Sequence, residues 1–318
     1  MHSAAQLAVV VVGVAAIVWG AEAFAEHLSV AAVRLRVSAF ALAVLLAGAE
    51  PEELATTVTA SLRHAPAIAF GDVIGANIAI CLVALGIGAV LSPLPFGPSV
   101  LRYGLLGLPL AAVAAAMAWD GRVGRLDGVV LVGLYVAYIA AIWVVERRPP
   151  ALGETAELGE AAAAPADGQG RVGKELGFVV AGVAAMAAGA VLVVEGVRHL
   201  SHVESTQTRL GLIIVGFATA FELVVLAWSA ARRGVSEAVV AGVVGSFAYN
   251  VTMSLGAGAL ARPLRIGHAA QLHGPWLAMI ATLAGVLALA LPRRRLDPAA
   301  GWVLLAAYPI VVVAVLAR

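Results

Sequence analysis

Cysteine is almost missing from this chain: Cys81 is the only one in 318 residues, so no intrachain disulfide can form and redox chemistry is not expected. It lies inside an apolar run and reads as a small packing residue. Charge is scarce as well, at 12% of residues against about 25% in ordinary soluble domains. The histidines His64, His202, His268 and His273 fall in loops without a metal-ligand spacing such as H-E-x-x-H, so no structural zinc is expected. No nucleophile stands beside a base, and no acidic metal motif suited to prenyl transfer is present, which argues against an enzyme. The first apolar run, from about Gln6 to Phe24, has no basic stretch before it and reads as a membrane span, not a cleaved signal.

What remains is hydrocarbon. Hydrophobic residues make up 62% of the chain, and a spanning helix needs about 20 mainly apolar residues. About ten such runs occur, near 5–26, 38–62, 67–91, 101–119, 127–146, 174–197, 208–231, 236–260, 275–291 and 300–317. Lipid leaves no water to pair backbone groups, so these runs are read as helices. The expected fold is an all-α membrane protein of about ten transmembrane helices. With the N-terminus extracytoplasmic, inner loops hold twelve of the 20 Lys and Arg and outer segments eight, a modest positive-inside bias. The location expected is the cell (inner) membrane, and the lipid bilayer is an expected partner.

The polar stretch 147–173, rich in Ala, Glu, Gly and Pro, reads as a cytoplasmic linker between residues 1–146 and residues 174–318. The two flanking halves repeat each other. Laying 38–94 over 207–264 at an offset of 169, then 170, pairs Glu53 with Glu222, Arg63 with Arg232, Gly75 with Gly245, Gly86 with Gly256, Gly88 with Gly258 and Pro93 with Pro263. Five spans per half is an odd number, so the second copy enters from the opposite face and the repeats are inverted.

Glu53 and Glu222 fall near the bilayer midplane, where a charge is costly unless paired, protonated or ion-bound. Around each, the sequence favours a helix break: Ala47-Gly48-Ala49-Glu50-Pro51 before Glu53, and Gly216-Phe217-Ala218-Thr219 before Glu222. Proline removes a donor and glycine loosens the turn, freeing carbonyls such as those of Ala49 and Ala218 for a cation. Hard cations favour oxygen ligands. Asn77 follows Gly75-Ala76 in the first half, while Ser246 and Asn250 follow Gly245 in the second. Asp72, near the outer start of the third span, reads as a helix cap ahead of an ion-entry group. Glu22, Glu26 and Glu195 read as water-facing span ends ahead of ion gating, and for Thr56, Thr57 and Thr59 a hydroxyl bonded back to its own helix is the commoner reading beside one facing the cavity.

These motifs resemble those of the sodium/calcium exchangers in the cation/calcium antiporter superfamily, over nearly the whole chain. That family carries a G-T-S-x-P-E motif and then a G-S-N-I-type motif in each half. Here the first reads Gly48-Ala49-Glu50-Pro51-Glu52-Glu53 and Phe217-Ala218-Thr219-Ala220-Phe221-Glu222. The second reads Gly75-Ala76-Asn77-Ile78-Ala79-Ile80 and Gly245-Ser246-Phe247-Ala248-Tyr249-Asn250. The resemblance implies a secondary antiporter exchanging Ca2+ for Na+ or H+ at a midplane site, with inorganic cations as substrates and no cofactor or nucleic acid. It implies a site of Glu53, Glu222, Glu50, Thr219, Ser246, Asn250, Asn77, Ala49 and Ala218. The departures are Ala76 and Ile80, which lack ligand side chains, and Glu50, which adds a carboxyl. Glu50 either replaces lost oxygens, binds a proton or lines the entrance. Exchange of other cations, or a non-transporting binding protein, are the alternative readings.

Overall fold

The computed structural model describes residues 2–34, 50–147, 172–233 and 237–316. It is helical almost throughout. Helix α1 spans His2–Arg34, α2 Pro51–Leu62, α3 Pro66–Leu91, α4 Pro98–Met117, α5 Arg125–Glu146 and α6 Val172–Leu200. A broken pair follows, α7 over 204–219 and α8 over Phe221–Arg233, and then α9 over 237–261, α10 over Ala270–Ala290 and α11 over Pro298–Leu316. Nine helical stretches among the described residues are long and apolar enough to cross a membrane. Helix α2 has 12 residues and begins at Pro51; the expected span 38–62 lies outside the described residues up to residue 49. The linker expected at 147–173 also lies outside them from residue 148 to 171.

Local chemistry explains where the helices start. Four of them, α2, α3, α4 and α11, begin on proline (Pro51, Pro66, Pro98 and Pro298), whose fixed φ and missing N–H suit the first helical position. Helix α5 begins after Gly124, whose N–H donates to the Asp127 carboxylate at 2.7 Å. Two caps come from distant helices. Glu237 of α9 accepts from Ser99 N at the start of α4 at 3.2 Å, and Glu204 of α7 accepts from Gly267 N at 2.8 Å. The expected boundaries move by a few residues, from 101 to Pro98, where proline places the start, and from 275 to Ala270, with Pro275 inside the helix.

Elements correspond between the halves where both are described. In α3 a π-turn covers Ile80–Ala84, and in α9 one covers Asn250–Ser254, 170 positions later. Helix α6 corresponds to α1 and packs along it in the opposite direction. A Cβ on Gly13 would stand 2.8 Å from the carbonyl oxygen of Gly189, and one on Gly20 would stand 2.7 Å from that of Gly182. Glycines seven residues apart on both helices therefore let two backbones touch, the close approach that drives helix association in lipid. Two short antiparallel ladders tie the remaining helices together. Strand β1 (Leu94–Pro95), after α3, pairs with β4 (Arg295–Leu296), between α10 and α11. Strand β2 (Arg122–Val123), between α4 and α5, pairs with β3 (Leu264–Arg265), after α9. Each ladder joins one half to the other, at opposite ends of the bundle.

The core is centred on α3 and α9, the most enclosed spans, with Ile68, Phe70, Ile74, Ile78, Ile80, Cys81 and Phe247 all fully buried. Cys81 packs as a small apolar residue, as the sequence indicated. Glu195 is not simply solvated: it accepts from Arg63 at 3.1 Å and from Arg198 at 3.1 Å, joining α6 to the turn between α2 and α3.

Two outcomes test this packing. Gly189→Leu forces a side chain into backbone contact and lowers folding stability by about 1–3 kcal/mol; an unchanged thermal midpoint in detergent would mean that α1 and α6 part freely. At the β4 corner, a hydrogen bond from Arg293 at 2.7 Å, and then the charges of Arg295 and Arg293, hold the Asp297 carboxyl below the usual carboxylate range. The folded pKa is depressed, so the stability it contributes is present above the ordinary value and is lost as pH falls through the folded one. The midpoint difference between the native protein and Asp297→Asn is therefore full at neutral pH and disappears in acid. A difference constant with pH would sink that account.

Candidate functional site

Three glutamates arrive together because α2 begins in the interior. Glu50 is non-helical, with φ −106° and ψ 85°, and Pro51 starts the helix, placing Glu52 and Glu53 in its first turn. The break expected before Glu53 is thus present at Glu50. Unpaired N–H groups and the positive end of the helix dipole favour carboxylates there. In the second half the chain breaks at Ala220, and Glu222 enters the first turn of α8. Glu50, Glu52 and Glu53 are buried at 2%, 3% and 1% exposure, while Glu222 is half-buried.

Asp72 requires a correction. It does not cap the third span; it lies inside α3 with no exposure. Thr57 of α2 donates to its Oδ2 at 3.2 Å, and Thr219 of α7 donates to its Oδ1 at 3.1 Å. The cause is the approach of α3 to the π-turn Gly211–Val215 of α7. A Cβ at Gly75 would collide with the carbonyl of Leu212, and one at Gly71 would stand 2.5 Å from that of Thr208. Without side chains at these two positions the backbones meet, and Asp72 between them is pressed against Thr219.

The partner helices contribute amides. Asn77 and Asn250 are fully buried, and Asn250 Nδ2 donates to Asn77 Oδ1 at 3.5 Å across the two halves. Asn77 Nδ2 points to Met279 Sδ at 3.6 Å. The Oδ1 atom of Asn250 is left without a donor, at the first residue of a π-turn, a distortion frequent at functional sites. Ser246 is buried too, and its hydroxyl donates to Gly242 O at 3.1 Å, leaving its lone pairs available. Ile80, which holds the place of Asn250 in the first half, is fully buried and apolar, as is Ala76.

Electrostatic neighbours define the grouping. Glu222 lies within electrostatic reach of Glu50 and Glu52, and Glu53 within reach of Asp72, Glu50 and Glu52. Asn250 and Tyr249 adjoin Glu50. Of the residues singled out in the sequence, Glu50, Glu53, Glu222, Thr219, Asn250 and Asn77 converge, and Ser246 sits one turn before Asn250. Ala218 is in the last turn before the Ala220 break; Ala49 lies outside the described residues. Sequence reasoning missed Glu52 and Tyr249, ranked capping above ion entry for Asp72, and ranked back-bonding above a cavity-facing hydroxyl for Thr57. For Asp72, the signal was available in Gly71 and Gly75 flanking an acid in an otherwise apolar run.

Among the described residues the buried polar set around these carboxyls contains no Lys or Arg. Among the described residues, both carboxylate oxygens of Glu50 and of Glu53, one of Glu52 and the Thr56 hydroxyl have no hydrogen-bond partner. Buried oxygens of this kind need protons or cations. No three acidic or imidazole groups among the described residues stand close enough to share one ion. An ion held here in this conformation therefore takes at most two carboxylates and completes its shell with amide, hydroxyl and backbone oxygens, the donor mix of hard cations.

Comparison with known proteins agrees with this chemistry. The family model described as sodium/calcium exchanger protein matches residues 5–144 and 174–317, so the chain belongs to the sodium/calcium exchanger family, whose members are membrane transporters of cations and not enzymes. Inner membrane protein YrbG of Escherichia coli strain K12 is 26% identical over 263 residues, 80% of each chain. The uncharacterized membrane protein MJ0091 of Methanocaldococcus jannaschii is 26% identical over 244 residues, 76% of this chain and 75% of that one. Among solved structures, the sodium-calcium exchanger NCX_Mj soaked with 100 mM Na+ and 10 mM Sr2+ superposes with a TM-score of 0.63 at 22% identity, covering 98% of both chains. The protein is an integral membrane cation antiporter with that fold.

Asp72→Asn keeps the shape of the threonine-bonded side chain and removes its charge. Cation affinity, titrated calorimetrically with Ca2+, Sr2+ and Na+ in turn, falls about tenfold or more, equivalent to about 1.4 kcal/mol. Unchanged affinity for all three would remove Asp72 from the ion-binding set.

Proposed function

We propose that the protein exchanges Ca2+ for Na+ or H+ by alternating access at one central site formed by Glu50, Glu52, Glu53, Asp72, Thr219, Glu222, Ser246, Asn250 and Asn77, with the carbonyls of Ala49 and Ala218 contributing. The observation that carries this reading is the set of four buried carboxyls of the first half, Glu50, Glu52, Glu53 and Asp72, with half-buried Glu222 of the second half beside them and no Lys or Arg in the buried polar set of the described residues. Such a set is stable at membrane depth only when protons or cations neutralise it. Crossing of the membrane is then tied to loading, because an empty charged site resists passage through hydrocarbon, and the result is exchange instead of leak.

The division into a first repeat at residues 1–146, a linker at 147–173 and a second repeat at 174–318 supports the mechanism. The glycine seam gives α1 and α6 a smooth shared surface and makes them one body. The crossed ladders fasten the rest, so the moving boundary lies between the α1/α6 pair and the ladder-bound helices. Positive residues in alternate loops support an extracytoplasmic N-terminus, and the similarity to an inner membrane protein supports that membrane. The NCX_Mj crystals were soaked with Na+ and Sr2+, ions of the classes proposed here.

Glu222→Gln removes the carboxyl that the second half contributes. The variant, reconstituted in proteoliposomes, loses Ca2+ uptake under both an imposed Na+ gradient and an imposed pH gradient, while its elution profile and thermal midpoint match the native protein. Full flux in the variant would defeat the proposal. In the native protein, uptake under one gradient and not the other assigns the driving ion.

A further inference from the structure

A second site lies away from the carboxyls, in a crevice of about 630 Å³ between α7, α10 and α11. Its size is that of small-molecule sites, but its layout is that of a lipid. One end is polar and carries Ser205, Arg209, Gln271 and His273. There His273 stacks on Trp119 at 3.9 Å, with its Nε2 2.9 Å from the Trp119 carbonyl oxygen, in a bundle-end position where aromatic rings mark the membrane–water boundary. The rest is apolar, running along α10 from Ala270 past Ala278 to Ala281 and against Val311 and Val315 of α11. Eleven residues of helix rise about 16 Å, close to half of a hydrocarbon core about 30 Å thick. The crevice is therefore one leaflet deep. Its flanks, Leu277 at 56% exposure and Val313 at 63%, face outward to lipid and not to an aqueous channel.

Charge selects the headgroup. Arg209 makes no hydrogen bond or ion pair among the described residues, and the polar pocket bordered by the same α7 segment adds Arg198, Arg262 and Arg265 to this end of the bundle. Glu204, the acid nearest to it in sequence, accepts from Gly267 N and from Gln271 Nε2. We propose that the crevice binds one anionic phospholipid, its phosphate on Arg209 and one acyl chain along the face of α10 from Ala270 to Ala281. Leu212, whose carbonyl meets Gly75 behind Asp72, forms part of the same crevice, so the occupant touches the helix that carries Thr219.

Native mass spectrometry of the full-length protein, titrated with phosphatidylglycerol, phosphatidylethanolamine or glycerol phosphate, tests the assignment. Phosphatidylglycerol saturates at one copy per chain, phosphatidylethanolamine binds at least tenfold more weakly, and glycerol phosphate does not displace the lipid. Arg209→Gln lowers phosphatidylglycerol affinity about tenfold and erases the preference over phosphatidylethanolamine. Ala278→Phe fills the groove and abolishes saturable binding; Ala278→Leu, a milder filler, weakens it if the phenylalanine variant does not fold. Equal retention of both lipids by the native protein, displacement by glycerol phosphate, or undiminished phosphatidylglycerol binding in the Arg209 and Ala278 variants would each overturn the proposal.

Discussion

Everything in this molecule answers to one constraint: Glu50, Glu52, Glu53 and Asp72 are buried inside a membrane-spanning bundle, and the buried polar set of the described residues offers them no Lys or Arg. A carboxylate at the centre of a spanning helix costs about 2.5–3.5 kcal/mol on insertion scales. Several together approach the whole stability of a domain, about 5–15 kcal/mol. A Lys or Arg placed among them would remove that penalty permanently, and with it any need for a mobile ion. The protein instead spreads the load over helix N-termini, threonine hydroxyls and asparagine amides, each of which lowers the cost without cancelling the charge. The site stays in debt to whichever cation arrives.

Geometry at the site depends on residues that have no chemistry of their own. Asp72 reaches Thr219 because Gly71 and Gly75 let α3 touch the π-turn of α7. The π-turn at Asn250 similarly carries the amide that meets Asn77 across the two halves. Backbone distortions and missing side chains decide which oxygens converge, and the carboxylates then set the charge.

Much of this was legible in the sequence, and the remainder was hidden for physical reasons. The apolar runs, the break before Glu53 and the matching position of Glu222 follow from composition and internal repetition, whereas Thr219, Ser246 and Asn250 were implied by the resemblance to exchanger motifs. The architecture was readable because lipid leaves the backbone few options. Asp72 was misread because distance along a span is a poor guide to depth: six residues after Pro66, it looks like a helix-start carboxylate until the packing of α7 over it is known. Glu52 was passed over because its counterpart, Phe221, is apolar and the repeat offers no confirmation. The grouping of Glu222 with Glu50 and Glu52, and of Glu53 with Asp72, depends on tertiary placement that no spacing rule contains.

The crossed ladders have a consequence for how the corners of the bundle are closed. Each two-residue strand finds its partner in the other half, Leu94 opposite Leu296 and Val123 opposite Leu264. Among the described residues neither half pairs a strand with itself, so both corners exist only when the two halves are in place together, and a shift of one half against the other is felt at both ends of the molecule at once.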